Sequence, residues 1–169
     1  MWGVAPFLSY LILVIICISY ASSDTSCARV FLVRIYQLMK ALRVLVIEDD
    51  AVIAMLLSEL LRGMGHGICA IAATEAEAVM AATRHKPDLM IVDAGLGRGS
   101  GVSAVEEILR AGPIAHLYLT GDPGRVQSRI AGAVVVRKPF RQADLARAID
   151  LALATLPEPD RLSNSGDGH

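Results

Sequence analysis

The chain has 169 residues, enough for one domain with a full core. Its net charge of −1 interleaves acids with bases, so no basic face for nucleic acid is expected. Aromatic residues make up 5%, too few for a base-stacking platform. Cys17, Cys27 and Cys69 show neither CxxC nor zinc spacing, and a reduced, cytosolic compartment is the simplest expectation. His66, His85, His116 and His169 are scattered and form no metal motif.

Trp2 to Ala21 carries no charge and is long enough to span a bilayer as a helix. Three readings stay open for residues 1–38. Arg29, Arg34, Lys40 and Arg43 follow the apolar run against a single acid, Asp24, which suits an inner-membrane anchor with the remainder facing the cytoplasm. Ser19-Tyr20-Ala21 resembles a small-x-small cleavage site, although no Lys or Arg precedes the run. A translation start at Met39 would leave a complete domain, making 1–38 an over-extended start.

From Leu42 onward short strands and helices alternate. Val44 to Ile47 is a buried apolar run that ends in Glu48-Asp49-Asp50. Val52, Ile53, Leu56, Leu57, Leu60, Leu61 and Met64 then fall on one helical face, stopped by Gly65 and Gly67. A strand over Ile68 to Ala73 follows. Thr74 and Glu77 form a capping box for an Ala-rich helix ending near His85-Lys86-Pro87. Leu89 to Val92 is a third strand, ending in Asp93 and a glycine-rich loop through Gly101. A helix carrying Val102, Val105, Ile108 and Leu109 ends at Gly112-Pro113. Ile114 to Leu119 ends in Thr120-Gly121, and Asp122 to Ile130 holds only a short helix from Pro123-Gly124. Ala133 to Val136 leads to Lys138-Pro139-Phe140. A last helix from about Arg141 places Leu145, Ile149, Leu153 and Leu156 on one side. Residues 157–169 are a polar tail expected to be disordered and too short for an output domain.

Five βα units imply a doubly wound parallel sheet covered by helices on both faces. Ligand sites in such sheets lie at the carboxyl ends of the strands. Glu48, Asp49, Asp93, Thr120 and Lys138 each stand at such an end, so acids, a hydroxyl and an amine should converge on one edge. Taken singly, most have plainer roles. Asp50, and Asp49 with it, could cap the following helix, and we keep the cap for Asp50. Thr120 alone would be a turn residue and Lys138 a solvated charge. Asp93 is hardest to explain so, because an acid directly after Leu-Met-Ile-Val approaches the core and needs a partner. The Gly95, Gly97, Gly99, Gly101 series lacks the GxxxxGK[ST] pattern and reads as a flexible loop.

Together, residues 41–156 resemble the receiver domain of two-component response regulators. The resemblance implies the flavodoxin-like (βα)5 fold with strand order 2-1-3-4-5. It makes Asp93 the phosphoacceptor, Glu48 and Asp49 the acidic pair, Thr120 the switch hydroxyl and Lys138 the stabilising cation. Mg²⁺ is implied, bound by Asp49 and Asp93 directly, by Glu48 through water, and by the Gly95 main-chain carbonyl. The Lys138-Pro139 bond is a candidate cis peptide. The implied partners are a histidine kinase or a histidine phosphotransfer protein and a downstream protein, with no nucleic acid. A membrane enters only if residues 1–38 are a real anchor. The protein would be a cytoplasmic signalling protein, with at most self-phosphorylation and self-dephosphorylation. Cleavage after Ala21 would export the domain away from such phosphodonors.

Three features depart from the family pattern. Gly97 replaces the usual proline, which predicts a more mobile loop after Asp93. Val135 replaces the usual aromatic switch residue, so output needs another route. The segment between Thr120 and Lys138 leaves room for about two helical turns. A receiver-shaped scaffold that is never phosphorylated is therefore the alternative reading. A haloacid-dehalogenase-type phosphohydrolase is disfavoured, because its second acid would stand where Gly95 is.

Overall fold

The computed structural model describes residues 41–97 and 99–156, all within one compact unit that begins at Ala41. The expectations for residues 1–38 and 157–169 lie outside the described residues. In chain order the elements are β1 Arg43–Ile47, α1 Ala51–Gly63, β2 Gly67–Ala72, α2 Glu75–His85, β3 Leu89–Asp93, α3 Gly101–Leu109, β4 Ala115–Thr120, α4 Pro123–Gln127, β5 Val135–Arg137 and α5 Gln142–Ala154. The strands form one sheet, all parallel, in the order β2-β1-β3-β4-β5. This is the flavodoxin-like receiver architecture that the sequence implies.

Burial explains why the strands read as unbroken apolar runs. Val44 to Ile47 and Leu89 to Val92 are buried without alternation, as expected where helices cover both faces of a parallel sheet. Alternate side chains still part to opposite sides. Val44, Val46, Ile91, Leu117 and Leu119 pack with Leu57 and Leu61 of α1 and Leu145 and Ile149 of α5. Leu45, Ile47, Met90, Val92 and Tyr118 pack with Val102 and Val105 of α3 and Val126 of α4. Each fully buried aliphatic side chain contributes roughly 1.5–3 kcal/mol of transfer free energy.

Local chemistry sets the helix ends that carry the site. Asp50 caps α1, accepting from Val52 N at 2.8 Å and Ile53 N at 3.2 Å, as the sequence predicts. Gly65, at φ +88°, turns the chain out of that helix in a conformation that side chains resist. Thr74 caps α2, while the Glu77 carboxylate accepts from Ala73 N at 2.8 Å, one residue before the cap. That bond takes Ala73 out of β2, where the sequence reading had placed it.

β5 is shorter than the apolar run suggests. Ala133 N still bonds Ile130 O in a turn that passes through Gly132 at φ +77°. Pairing with β4 therefore starts at Tyr118–Val135 and runs to Thr120–Arg137. α4 spans five residues, in line with the short connection. Among the described residues, no helix is long and apolar enough to cross a membrane.

Candidate functional site

Because every strand points the same way, the carboxyl ends of β1, β3, β4 and β5 share one edge. Glu48 directly follows β1, and its N–H donates to Ala72 O at 2.9 Å. Its side chain is 1% exposed, an unusual place for a carboxylate. Lys138, one residue beyond β5, resolves this. Its Nζ donates to Glu48 Oε2 at 2.9 Å and to Asp93 Oδ2 at 2.7 Å, so one ammonium bridges two acids. Lys138 is fixed in turn by its own N–H, which donates to Thr120 O at 2.8 Å and extends the β4–β5 ladder. The Lys138–Pro139 peptide is cis.

Two further acid oxygens are held by backbone. Asp93 Oδ1 accepts from Gly95 N at 3.0 Å, and Asp49 Oδ2 accepts from Gly97 N at 2.9 Å. One oxygen each from Glu48, Asp49 and Asp93 lie within 4.8 Å of one another. Among the described residues three carboxylates face a single ammonium, which leaves an excess of negative charge. Burial raises the Glu48 pKa above its ordinary value. The Lys138 hydrogen bond opposes the rise, and the Asp93 charge adds to it. For Lys138 burial alone would lower the pKa, but hydrogen bonds and charge from Asp93 and Glu48 outweigh it and raise the value. An all-carboxylate donor set beside an acidic excess suits a hard divalent cation such as Mg²⁺ rather than a thiol- or imidazole-seeking metal.

Thr120 ends β4 almost buried, and its Oγ1 accepts from Asp122 N at 3.1 Å. Asp122 itself caps α4 through Arg125 N at 3.4 Å. The hydroxyl is thus linked through one turn to the start of α4, while its own proton stays available to an acceptor. The sequence-predicted residues therefore gather as expected. Lys138, Glu48 and Asp93 touch, Asp49 completes the acidic cluster, Gly95 braces Asp93, and Thr120 stands at the adjacent strand end.

Residues 44–150 match the sequence model of the response regulator receiver domain. The chain belongs to that family. As a receiver it is similar to the transcriptional regulatory protein PdtaR of Mycobacterium tuberculosis, with 42% identity over 120 residues, 69% of this chain and 58% of that protein. It is also similar to the phyllosphere-induced regulator PhyR of Methylorubrum extorquens, with 36% identity over 117 residues, 67% of this chain and 44% of that protein. The chain thus spans 58% and 44% of the length of these two relatives. Among solved structures, the PhyR receiver domain of Erythrobacter litoralis superposes with a TM-score of 0.66 at 35% identity, covering 73% of this chain and 98% of that one. PhyR of Brucella abortus gives a TM-score of 0.63 at 31% identity, covering 68% of this chain and 49% of that one.

Three residues of this receiver's site escape a sequence reading. Gly97, which the sequence shows only as a missing proline and one of a series of loop glycines, contributes an N–H that a proline could not supply. It belongs to a loop held at several points, since Leu96 is buried and Gly99 N donates to Leu96 O at 3.1 Å. Gly101 opens α3 so close to β3 that a Cβ there would stand 1.9 Å from Asp93 O and 2.7 Å from Val92 Cγ1. Tyr118 is fully buried on β4, directly across the ladder from Val135, with a hydroxyl that has no hydrogen-bond partner among the described residues. Its position two residues before Thr120 puts both on one face of the sheet, which is the only signal the sequence offers for it.

Proposed function

We propose that this receiver takes a phosphoryl group onto Asp93 from the phosphohistidine of a histidine kinase or histidine phosphotransfer protein. An Asp93 carboxylate oxygen forms the new P–O bond, the donor's P–N bond breaks, and the imidazole departs with a proton, leaving an aspartyl-phosphate. The observation that carries this reading is the Asp93 carboxylate, held by Lys138 Nζ at 2.7 Å inside a cluster of acids. Asp49, Asp93, Glu48 and the Gly95 carbonyl would hold Mg²⁺. Bound there, the ion would offset the carboxylate charge and stabilise the oxygens of the transferring group. Lys138 would pass from pairing with Asp93 to pairing with the phosphoryl group. Thr120 would donate its free hydroxyl proton to a phosphoryl oxygen, and its link to Asp122 would carry the movement toward α4.

Signalling would then proceed by protein–protein contact. Val52, Met55 and Leu56, on the first turns of α1 beside the cluster, are more than half exposed, which suits a partner docking over the acids. Because the donors are cytoplasmic, the receiver would work there.

The test is incubation of the full chain with acetyl phosphate and Mg²⁺, comparing wild type with Asp93→Asn. An acid-stable, base-labile phosphoprotein on wild type alone supports the reading. Its absence, or equal labelling of the variant, refutes it. Continuous release of phosphate from many unrelated esters would point to a phosphohydrolase instead.

A further inference from the structure

Lys138 neutralises only two of the three acids. It touches Glu48 and Asp93, and it makes no bond to Asp49. Asp49 is exposed and faces both other carboxylates across less than 4.8 Å, so repulsion favours turning its carboxylate outward into water. What holds it inward is backbone. Gly97 N, on the loop between β3 and α3 and 48 residues away, donates to Asp49 Oδ2 at 2.9 Å. Burial of Leu96 anchors that loop one residue earlier. The approach also depends on glycine, because a Cβ at position 97 would stand 2.9 Å from the same Oδ2.

We infer that Gly97 is a positioning residue for the divalent cation. Its amide orients Asp49 so that the acidic cluster is assembled before the ion arrives. A carboxylate oxygen has two lone pairs, and Asp49 has a second oxygen, so the amide and a cation can be served together. Hydrogen bonds of this kind to ligating carboxylates are typically worth about 10- to 100-fold in metal affinity. The inference rests on the Mg²⁺ reading above and adds to it which backbone group prepares the site. The glycine thus compensates for what proline cannot offer at this position, an N–H donor.

The experiment measures Mg²⁺ affinity by isothermal titration calorimetry on the full-length wild type, Gly97→Ala and Gly97→Pro. Gly97→Ala keeps the N–H but pushes on Asp49, whereas Gly97→Pro removes the donor. Both should weaken binding by about ten-fold or more, while the melting temperature without Mg²⁺ stays close to wild type. Exchange of the Gly97 amide hydrogen, slow in wild type, should become fast in Asp49→Ala. Unchanged affinity in both variants, tighter binding by Gly97→Pro, or equal exchange in wild type and Asp49→Ala overturns the inference alone. No Mg²⁺ binding by wild type overturns the cation reading as well.

Discussion

Lys138 Nζ lies 2.7 Å from Asp93 Oδ2, and the two residues come together from the ends of β5 and β3, strands that do not touch each other in the sheet. β4 runs between them, so the contact exists only because the lysine reaches across the strand end that carries Thr120. The same ammonium holds Glu48. Removing it leaves three carboxylates facing one another with no positive charge among them from the described residues. We expect Lys138→Ala to lose roughly 1.5–3 kcal/mol of stability without divalent cation. Mg²⁺ should bind it about five-fold or more tightly than wild type, because a competing positive charge is gone. Denaturant unfolding with and without Mg²⁺ reads both effects.

Glu48 gives the site a pH signature. Its folded-state pKa is raised from 4.5, burial being the largest cause. An acid whose pKa is higher in the folded state stabilises the fold fully below its unfolded value. That contribution is lost as pH rises through the folded value. Relative to Glu48→Gln, wild type should therefore lose stability as pH climbs from about 4.5 toward neutrality. Added Mg²⁺ should shrink the loss, since a cation favours the ionised carboxylate. Urea midpoints across that range, without and with Mg²⁺, check the sign.

Gly101 is set against the backbone of Asp93. A Cβ at 1.9 Å from Asp93 O and 3.0 Å from Asp93 C meets main chain, which cannot swing aside as a side-chain end can. Gly101→Ala should cost about 1–3 kcal/mol through overpacking. It should also slow phosphoryl uptake, because the strain falls on Asp93 itself. Thermal unfolding and initial labelling rates measure the two consequences.

The strands and the residues at their ends were legible in the sequence for one reason. A parallel sheet buried on both faces writes each strand as an unbroken apolar run, and its polar end then marks the functional edge. Val44 to Ile47 followed by Glu48-Asp49, and Leu89 to Val92 followed by Asp93, are of this kind. Boundaries were less legible where a hydrogen bond outside the run decided them. Glu77 takes the Ala73 amide, and Ile130 keeps Ala133 in a turn. The Gly97 amide, the packing of Gly101 and the choice of Glu48 as the second lysine partner leave no trace in residue type. Each depends on how closely distant backbone segments approach.

Tyr118 illustrates the same limit and supplies a further prediction. A buried hydroxyl with no partner costs about 1–3 kcal/mol, while the ring itself packs edge-on against His116 at 5.6 Å. Tyr118→Phe should keep the ring contacts and stabilise the unphosphorylated protein by roughly 1 kcal/mol. An upward shift in the unfolding midpoint checks this.

The central claim is that Asp93, and no other acid of the cluster, becomes the acyl phosphate. Borohydride reduction after acetyl phosphate treatment converts such an anhydride to an alcohol, leaving homoserine at the modified position. Peptide mass spectrometry should find homoserine at position 93 alone, dependent on Mg²⁺. Homoserine at position 49 or 50, 5-hydroxynorvaline (the reduction product of a glutamyl phosphate) at position 48, or no reduced residue anywhere despite bound Mg²⁺, would contradict the account.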